Sequence, residues 1–358
     1  MVQTVAVGLS GGLDSTLTAL LLKEKGYRVI GLSMSIYNKD IAHLKTAGNA
    51  CYGSEEKEDL KSVQKWAKEN DIETILLDCS EEYKKVVLSY FKEAYLSGIT
   101  PNPCIKCNET MKFGLMLDKA LMQGIQFDYF ATGHYARITE KNGIYTLQKG
   151  VDEKKDQSYF LYRLSQQQLA KTLFPLGEYT KEQVRQMARE RHLAVAEKTD
   201  SQDFYAGNYA DLLEQKPQTG NIVHVTGRVL GQHQGFWNYT IGQRKGLGIA
   251  HPSPLFVVDI DAERNQVIVG ESVCTLCSRA RIGSIVYGGG RIKIFEPLPV
   301  YVKYRSAGKM VEATILPNGS DELFIHFDEP QRSVTRGQSL VCYDKADGIS
   351  VVCGGIIL

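Results

Sequence analysis

The chain has 358 residues, of which 43% are hydrophobic and 23% are charged, as is typical of a soluble globular protein. At roughly 150 residues per domain, this length predicts two or three domains. The 42 Lys and Arg residues balance 41 Asp and Glu residues to a net charge of +1, so overall charge neither favours nor excludes nucleic acid as a partner.

The first part of the chain alternates strand-like and helix-like patterns. The predicted strands cover residues 4–9, 29–34, 74–77 and 129–132. The predicted helices cover residues 15–25, 55–70, 83–96, 109–121, 166–173 and 181–191. Strands separated by helices are typical of a parallel sheet with both faces covered. We therefore expect an α/β domain over residues 1–210.

After residue 210 the pattern changes to glycine-rich, short alternating runs. The runs at 221–225, 255–260 and 266–269 predict a small central domain over residues 211–282. The runs at 300–304, 311–315, 323–327 and 339–343 are separated by turns. They predict a small antiparallel β-barrel or sandwich over residues 283–358, for which we favour the barrel.

The compartment follows from what the sequence lacks. No apolar run approaches the roughly 18 residues of a membrane span, and the N-terminus shows no signal-peptide pattern. We therefore expect a cytoplasmic protein with no membrane partner. Eight cysteines are too sparse for a disulfide scaffold, so the C-x-x-C pairs Cys104/Cys107 and Cys274/Cys277 are candidates for redox, sulfur or metal chemistry.

A glycine-rich turn joins the first predicted strand to the first predicted helix. It reads Gly8-Leu-Ser-Gly-Gly-Leu-Asp-Ser15. Glycines and a helix start present backbone N–H groups that bind anions. The turn has neither the Gly-Lys-[Ser/Thr] of a Walker A loop nor the glycine spacing of a dinucleotide site. A turn without a ligand is the alternative interpretation.

This turn resembles the PP-loop of ATP pyrophosphatases, which cleave ATP between the α and β phosphates and adenylate a substrate oxygen. The resemblance implies ATP and Mg²⁺ as cofactors, with Asp14 helping to place the metal ion as a catalytic residue. Met34 and Gly133 end strands at the same sheet edge; Met34 is equally well explained as a core residue. The implied nucleotide-binding residues are Gly8, Leu9, Ser10, Gly11, Gly12, Leu13, Asp14, Ser15, Met34 and Gly133.

Four further strings resemble those of the bacterial tRNA-specific 2-thiouridylases, which replace O2 of the wobble uridine with sulfur. They are Thr100-Pro-Asn-Pro-Cys-Ile-Lys-Cys-Asn108, Ala131-Thr-Gly-His-Tyr-Ala-Arg137, Lys155-Asp-Gln-Ser-Tyr-Phe-Leu161 and Tyr239-Thr-Ile-Gly-Gln-Arg-Lys-Gly-Leu-Gly248. Arg244 and Lys245 form a basic tip between glycines, which suits a phosphate backbone. The tRNA-contacting residues that the resemblance implies are Asn102, Pro103, His134, Lys155, Asp156, Gln157, Arg244, Lys245, Lys303, Tyr304 and Gln338.

The cysteines depart from the usual pattern of that family. Its nucleophile corresponds to Cys107, and Cys104 replaces the usual aspartate, which makes this chain a C-x-x-C variant. We expect Cys107 near a helix start, where a thiolate is stabilised. The usual second catalytic cysteine is Tyr205 here, and tyrosine cannot carry a persulfide. We interpret Cys274 and Cys277 as structural or adventitious, because no second pair at zinc-finger spacing follows them.

Two sulfur routes therefore stay open, both supplied by a sulfur-donor protein or a sulfide source. In one, Cys107 handles a persulfide and Cys104 resolves it as a disulfide. In the other, Cys104 and Cys107 hold an iron–sulfur cluster with Cys51 as a third ligand. Cys51 qualifies because it follows the second predicted strand, on the edge that carries the phosphate loop.

The function that the resemblance implies is ATP-dependent 2-thiolation of the wobble uridine, U34, of tRNA. O2 of the uridine is adenylated, sulfur is transferred to C2, and AMP and pyrophosphate are released. One alternative is a PP-loop ligase that acts on a small molecule, which would not need the tip at Arg244 and Lys245. Another is a tRNA-binding homologue without catalysis, suggested by Tyr205.

Overall fold

A parallel five-stranded sheet forms the centre of the N-terminal part. The computed structural model describes residues 2–37, 51–52, 56–199, 204–205, 207–319 and 321–358, so residue 55, the predicted start of the second helix, lies outside it. The strands of the sheet are β1 Thr4–Gly8, β2 Arg28–Ser35, β3 Glu73–Asp78, β4 Tyr129–Ala131 and β7 Thr172–Leu173. Their order in the sheet is β3-β2-β1-β4-β7, and all neighbouring strands run parallel, as predicted.

Helices lie between and after the strands of this sheet. They are α1 Leu13–Glu24, α2 Glu56–Glu69, α3 Ser80–Tyr83, α4 Ser89–Leu96, α5 Pro103–Lys106, α6 Met116–Met122, α7 Ser158–Leu161, α8 Gln166–Ala170, α9 Lys181–Glu190 and α10 Tyr209–Leu213. Val5, Ala6 and Val7 of β1 are fully buried, because a central parallel strand is covered on both faces. Among the described residues, no helix is both long and apolar enough to cross a membrane.

Two helical stretches contain π-helical segments that the apolar spacing did not predict. Lys84–Leu88 joins α3 to α4, and Cys107–Leu115 joins α5 to α6. The second stretch begins at Pro103, where Asn102 accepts a hydrogen bond from the Ile105 amide at 3.2 Å. The helix therefore begins before Cys107, and the predicted start at residue 109 was wrong.

The sequence analysis also missed short strands. β7 lies within the predicted helix 166–173, which ends at Ala170. The hairpin of β5 Ala136–Lys141 and β6 Ile144–Lys149 was not predicted, because its strands are half-exposed and follow the short motif at the end of β4.

The rest of the chain forms two β structures. The central strands are β8 Gly220–His224, β9 Val229–His233, β10 Leu255–Asp261 and β11 Gln266–Glu271, and they form a sheet of order β10-β11-β8-β9. The C-terminal strands are β12 Leu276–Tyr287, β13 Leu298–Lys303, β14 Val311–Asn318, β15 Glu322–Arg332, β16 Ser339–Asp344 and β17 Val351–Ile357. They close into the predicted barrel, in the order β12-β15-β14-β13-β16-β17. Because β12 crosses positions 282–283, the proposed boundary there falls within a strand; the three-domain division stays a prediction.

The barrel packs directly on the α/β domain. The Tyr159 hydroxyl donates to the Ser339 carbonyl at 2.8 Å, and the hydroxyls of Ser158 and Tyr343 are 3.0 Å apart. Gly337 has a positive φ of 86°, and a Cβ there would lie 2.1 Å from a methyl group of Ile99. The junction is therefore close-packed, with buried polar groups that bond across it.

Candidate active site

The glycine-rich turn lies where β1 meets α1 and borders a cavity of about 410 Å³. Gly12 caps α1, and Gly11 has a positive φ of 76° that favours glycine. The Ser15 hydroxyl lies 3.2 Å from the Ser10 amide nitrogen and 3.1 Å from the Gly12 carbonyl, which fixes the curve of the turn. The turn residues that line the cavity are Gly8, Leu9, Ser10, Gly12, Leu13, Asp14 and Ser15.

Gly133 explains how β4 approaches this turn. A Cβ at residue 133 would lie 2.7 Å from the Asp14 carbonyl carbon and 2.9 Å from the Ser15 nitrogen. Both distances are too short for any side chain. Gly133 lines the cavity, but its closest neighbour is the backbone of the phosphate loop itself.

Asp14 is held by two groups that the sequence analysis missed. Lys181 Nζ lies 2.7 Å from Asp14 Oδ1 and 2.9 Å from Oδ2, and the Tyr135 hydroxyl donates to Oδ1 at 2.9 Å. Lys181 is the first residue of α9, and its side chain is only 10% exposed. A lysine is unfavourable in the first turn of a helix, and that conflict is the signal that could have identified it.

Further cations surround the loop. Lys112, Lys155 and Lys198 line the cavity, and of these the sequence analysis named only Lys155. Lys198 Nζ lies 2.6 Å from an Asp59 carboxylate oxygen and 3.4 Å from the Gly11 carbonyl oxygen. With the N-terminus of α1, these side chains make the cavity suitable for a polyphosphate.

Apolar side chains also line the cavity, and Met34 is one of them. They are Leu32, Met34, Ile36 and Phe130, and adenine binding at Met34 stays a prediction. The Glu56 carboxylate also lines the cavity and accepts hydrogen bonds from the Ile36 amide at 2.7 Å and the Ser35 hydroxyl at 2.8 Å. Burial raises the pKa of Glu56, although these hydrogen bonds partly offset that effect.

His134 also lines the cavity, at the end of β4. Its Nδ1 lies 2.7 Å from the Thr132 hydroxyl. Burial, together with the nearby Lys112 charge, lowers the pKa of His134 well below its usual value. The imidazole is therefore neutral at pH 7 and can hydrogen-bond a base without adding charge.

The cysteines differ in exposure. Cys107 is 8% exposed, and burial raises its pKa to about 11, so the expectation of a thiolate stabilised at a helix start was wrong. Cys104 is half-buried, whereas Cys51 is exposed and lines the cavity. Within the described ranges, no three His, Cys, Asp or Glu side chains are grouped so that they could hold a metal ion.

The remaining cysteines lie away from the cavity. Cys342 and Cys353 face each other as fully buried neighbours on β16 and β17. The Cys277 thiol lies 2.5 Å from the Arg279 carbonyl oxygen, and a Cβ on Gly270 would lie 3.1 Å from the Cys274 sulfur. These local contacts agree with the structural interpretation of Cys274 and Cys277.

The predicted tRNA contacts fall into separate regions. Lys155, Gln157 and His134 line the cavity, and Arg244 and Lys245 are exposed in the turn before β10. Gln157 also accepts a hydrogen bond from the Tyr135 amide at 2.9 Å.

A second group lies at the junction with the barrel. Asp156 is buried and accepts from the amides of Gly150 and Ser158 at 3.2 and 3.1 Å. Lys303, whose pKa is lowered by burial, lies 4.0 Å from the Asp156 carboxylate. Asp156 and Lys303 therefore face each other inside the protein, and their assignment as tRNA contacts stays a prediction.

Other predicted contacts also hold the structure together. Gln338 donates to the carbonyls of Thr100 and Pro101 at 3.1 and 2.9 Å, next to the helix start at Asn102 and Pro103. The Tyr304 hydroxyl donates to Gln331 at 3.2 Å. Gln338 therefore ties the start of the C-x-x-C helix to the barrel, whereas the Tyr304 hydrogen bond lies within the barrel region.

Fold and site together define a PP-loop protein: a parallel α/β sheet with a Ser-Gly-Gly-x-Asp-Ser loop, extended by two β structures. Residues 3–205, 210–271 and 280–357 match family models described as a tRNA methyl transferase HUP domain, a tRNA methyl transferase PRC-barrel domain and an aminomethyltransferase beta-barrel domain. The chain belongs to the tRNA-specific 2-thiouridylase family, because proteins of that name match it over nearly their full length.

The relative from Endomicrobium trichonymphae is 45% identical over 99% of this chain and 98% of its own. Those from Carboxydothermus hydrogenoformans and Clostridium acetobutylicum are 43% and 41% identical, over at least 97% of each chain. The solved U34-tRNA thiolase NcsA from Methanococcus maripaludis, with its [4Fe-4S] cluster, is 17% identical and covers 54% of this chain and 58% of that one. The TM-score between the two structures is 0.34.

Proposed function

We propose that this chain uses ATP to replace O2 of the wobble uridine of tRNA with sulfur, releasing AMP and pyrophosphate. The observation that carries the proposal is the cavity itself. It joins a phosphate-binding loop, several lysines and a thiol within one space of about 410 Å³. Full-length relatives named as tRNA-specific 2-thiouridylases support the same reaction.

The phosphate loop supplies the adenylation chemistry. Backbone amides of residues 10–15 and the start of α1 hold the leaving pyrophosphate, while Lys112 and Lys198 offset its charge. Mg²⁺ is usually bound through one or two carboxylates plus substrate phosphates, and the Asp14 carboxylate at the loop fits that role. Lys181 fixes the orientation of the Asp14 carboxylate through both of its oxygens.

The tRNA must present its target base outside the stack of neighbouring bases. The target base must reach the cavity that the phosphate loop borders, so the wobble uridine has to leave the anticodon stack. Lys155, Gln157 and neutral His134 line this cavity and can hydrogen-bond the base or its phosphate. Arg244 and Lys245 contact backbone phosphates farther along the tRNA. A reducing cytoplasm, which holds both tRNA and free thiols, is the compartment that this reaction requires.

The sulfur reaches C2 as a persulfide. Activating O2 as an adenylate makes it a leaving group, so a sulfur nucleophile can add at C2 and expel AMP. The cluster route lacks support, since Cys51, Cys104 and Cys107 are not grouped as metal ligands in the described structure. We therefore place the sulfur on cysteine thiols, with Cys107 taking part, and derive no step through iron.

Product analysis tests this function. The purified chain with ATP, Mg²⁺, tRNA and a persulfide donor should form AMP, pyrophosphate and 2-thiouridine. Mass spectrometry of the nucleosides distinguishes exchange of oxygen for sulfur from addition of a methyl group. Formation of ADP and phosphate, or AMP release that does not depend on tRNA, would exclude this reaction and favour a small-molecule ligase. Tight tRNA binding without AMP would identify a non-catalytic homologue.

A further inference from the structure

Cys51 holds a distinct position among the cysteines near the active site. It lines the cavity that contains the phosphate loop, whereas Cys104 and Cys107 lie outside that lining. It is also exposed, so an external sulfur donor can reach it. Cys107 is buried and is therefore inaccessible to a bulky donor.

The backbone places Cys51 beside the position where the family's second cysteine is missing. The amide of its neighbour Tyr52 donates to the Phe204 carbonyl at 2.8 Å, directly before Tyr205. The Tyr52 ring stacks on Tyr83 with centroids 5.5 Å apart. A backbone hydrogen bond thus joins the segment at 51–52 to the segment at 204–205, so the Cys51 thiol belongs to the same region as Tyr205.

The electrostatics show that the thiols share one environment. Burial raises the pKa of Tyr83 well above its usual value, and Cys107, Cys51 and Cys104 raise it further. Burial alone would lower the pKa of Lys112, but the same three cysteines offset that effect and raise it. Lys112 lines the same cavity as Cys51 and the phosphate loop, so a cation is present near the thiols. Such a cation favours an anionic sulfur nucleophile.

We propose that Cys51 is the sulfur-carrying thiol of this enzyme and that Cys107 is its exchange partner. This proposal rests on the proposed function and adds the identity of the carrier. It differs from the pairing of Cys104 with Cys107 that C-x-x-C spacing favours, because neither of those sulfurs faces the nucleotide cavity.

The chemistry balances with a sulfane-sulfur donor and a thiol reductant. A donor persulfide passes its terminal sulfur to Cys51 and leaves as a thiol. The terminal sulfur of the Cys51 persulfide attacks C2 of the adenylated uridine, loses its proton to solvent, and expels AMP. The Cys107 thiolate then attacks the Cys51 sulfur. The S–S bond breaks, sulfur stays on C2 as 2-thiouridine, and a Cys51–Cys107 disulfide remains until two external thiols reduce it.

A single-turnover experiment with the full chain tests this assignment. The protein is loaded with glutathione persulfide, freed of excess donor, and mixed with tRNA, ATP and Mg²⁺ without reductant. In the unsubstituted protein, peptide mapping should find the Cys51–Cys107 disulfide in proportion to the 2-thiouridine formed. Cys51→Ser should lower thiouridine formation by at least about 100-fold while tRNA-dependent pyrophosphate release continues. Cys277→Ser, a half-buried cysteine of the β structures, is the matched control.

The readouts separate the two proposals. Full thiolation by both Cys51→Ser and Cys51→Ala, or a trapped Cys104–Cys107 disulfide, would overturn the assignment of Cys51 and leave the ATP step intact. A Cys104→Ser variant that still traps the Cys51–Cys107 disulfide would support it. Absence of AMP and pyrophosphate from the unsubstituted protein would instead overturn the proposed function. Thermal unfolding of each variant confirms that it is folded.

Discussion

The phosphate loop and the cysteine cluster, which comprises Cys51, Cys104 and Cys107, differ in how far they are prepared for reaction. The loop is preorganised: backbone amides, a helix start and the Lys181–Asp14 ion pair are already in place. The cysteine cluster is not, because burial keeps Cys107 protonated, with a pKa of about 11. The difference teaches that the loop is ready to bind ATP, whereas sulfur transfer also needs the proton of Cys107 to be removed.

The largest effect should come from a substitution in the phosphate loop. Asp14→Ala removes the carboxylate that would place Mg²⁺ and leaves the partly buried Lys181 without that partner. We expect tRNA-dependent pyrophosphate release to fall by roughly 100-fold or more. Asp118→Ala, an exposed position on α6, is the control. Because Asp14 lies at the sheet edge, circular dichroism should show an unchanged fold; retained pyrophosphate release would remove Asp14 from the mechanism.

A smaller effect should come from pH, which changes the protonation of Cys107 but does not affect the phosphate loop. With a pKa of about 11, the thiolate fraction of Cys107 rises with pH throughout the neutral range. Single-turnover thiolation should therefore increase roughly 30-fold between pH 7 and pH 8.5, since thiolate is the nucleophile. Pyrophosphate release should stay nearly flat, because backbone amides do not titrate and His134, with its lowered pKa, is already neutral. Parallel pH profiles for both steps would contradict the proposed difference.

Lys181 allows a finer test, because it is a positioning residue that holds Asp14. Lys181→Met should lower pyrophosphate release by roughly tenfold and weaken the dependence on Mg²⁺, since Asp14 loses its orientation. Lys181→Arg should recover part of the loss, as the guanidinium can also bond the carboxylate. Lys171→Met, on the surface after α8, is the control. An unchanged Mg²⁺ titration in Lys181→Met would indicate that the ion pair only stabilises the fold.

The same contrast explains what the sequence could reveal. The loop at residues 8–15 is continuous in sequence, and its glycines and helix start carry their own physical signal. Lys181 and Lys198 come from distant segments, so only folding brings them to the loop. Asp156 and Lys303 were grouped with the tRNA contacts by resemblance, and sequence alone does not show that they are buried facing each other.

The fold shows a similar limit. Strands buried on both faces, such as β1 and β2, were predicted because their apolar runs are long. The two-residue strand β7 has no period that could be detected, and only its pairing with β4 defines it. The π-helical segment at Cys107–Leu115 shifts side-chain positions relative to an α-helix. The burial of Cys107 could therefore not be predicted from α-helical spacing.

The smallest effect should come from the exposed tip at Arg244 and Lys245, which does not line the cavity. Arg244 and Lys245 are exposed, and contact with phosphates predicts weakened binding that is similar for every tRNA substrate. Replacing both with alanine should weaken tRNA binding by roughly fivefold at moderate salt and reduce the slope of log affinity against log salt by up to about 2. Lys216→Ala with Arg228→Ala removes two exposed charges of the central region as a control. Because the tip does not touch the cavity, AMP formed per bound tRNA should not change. An unchanged salt slope would place the tip outside the tRNA interface, whereas a loss of turnover at saturating tRNA would mean that it helps to insert the base.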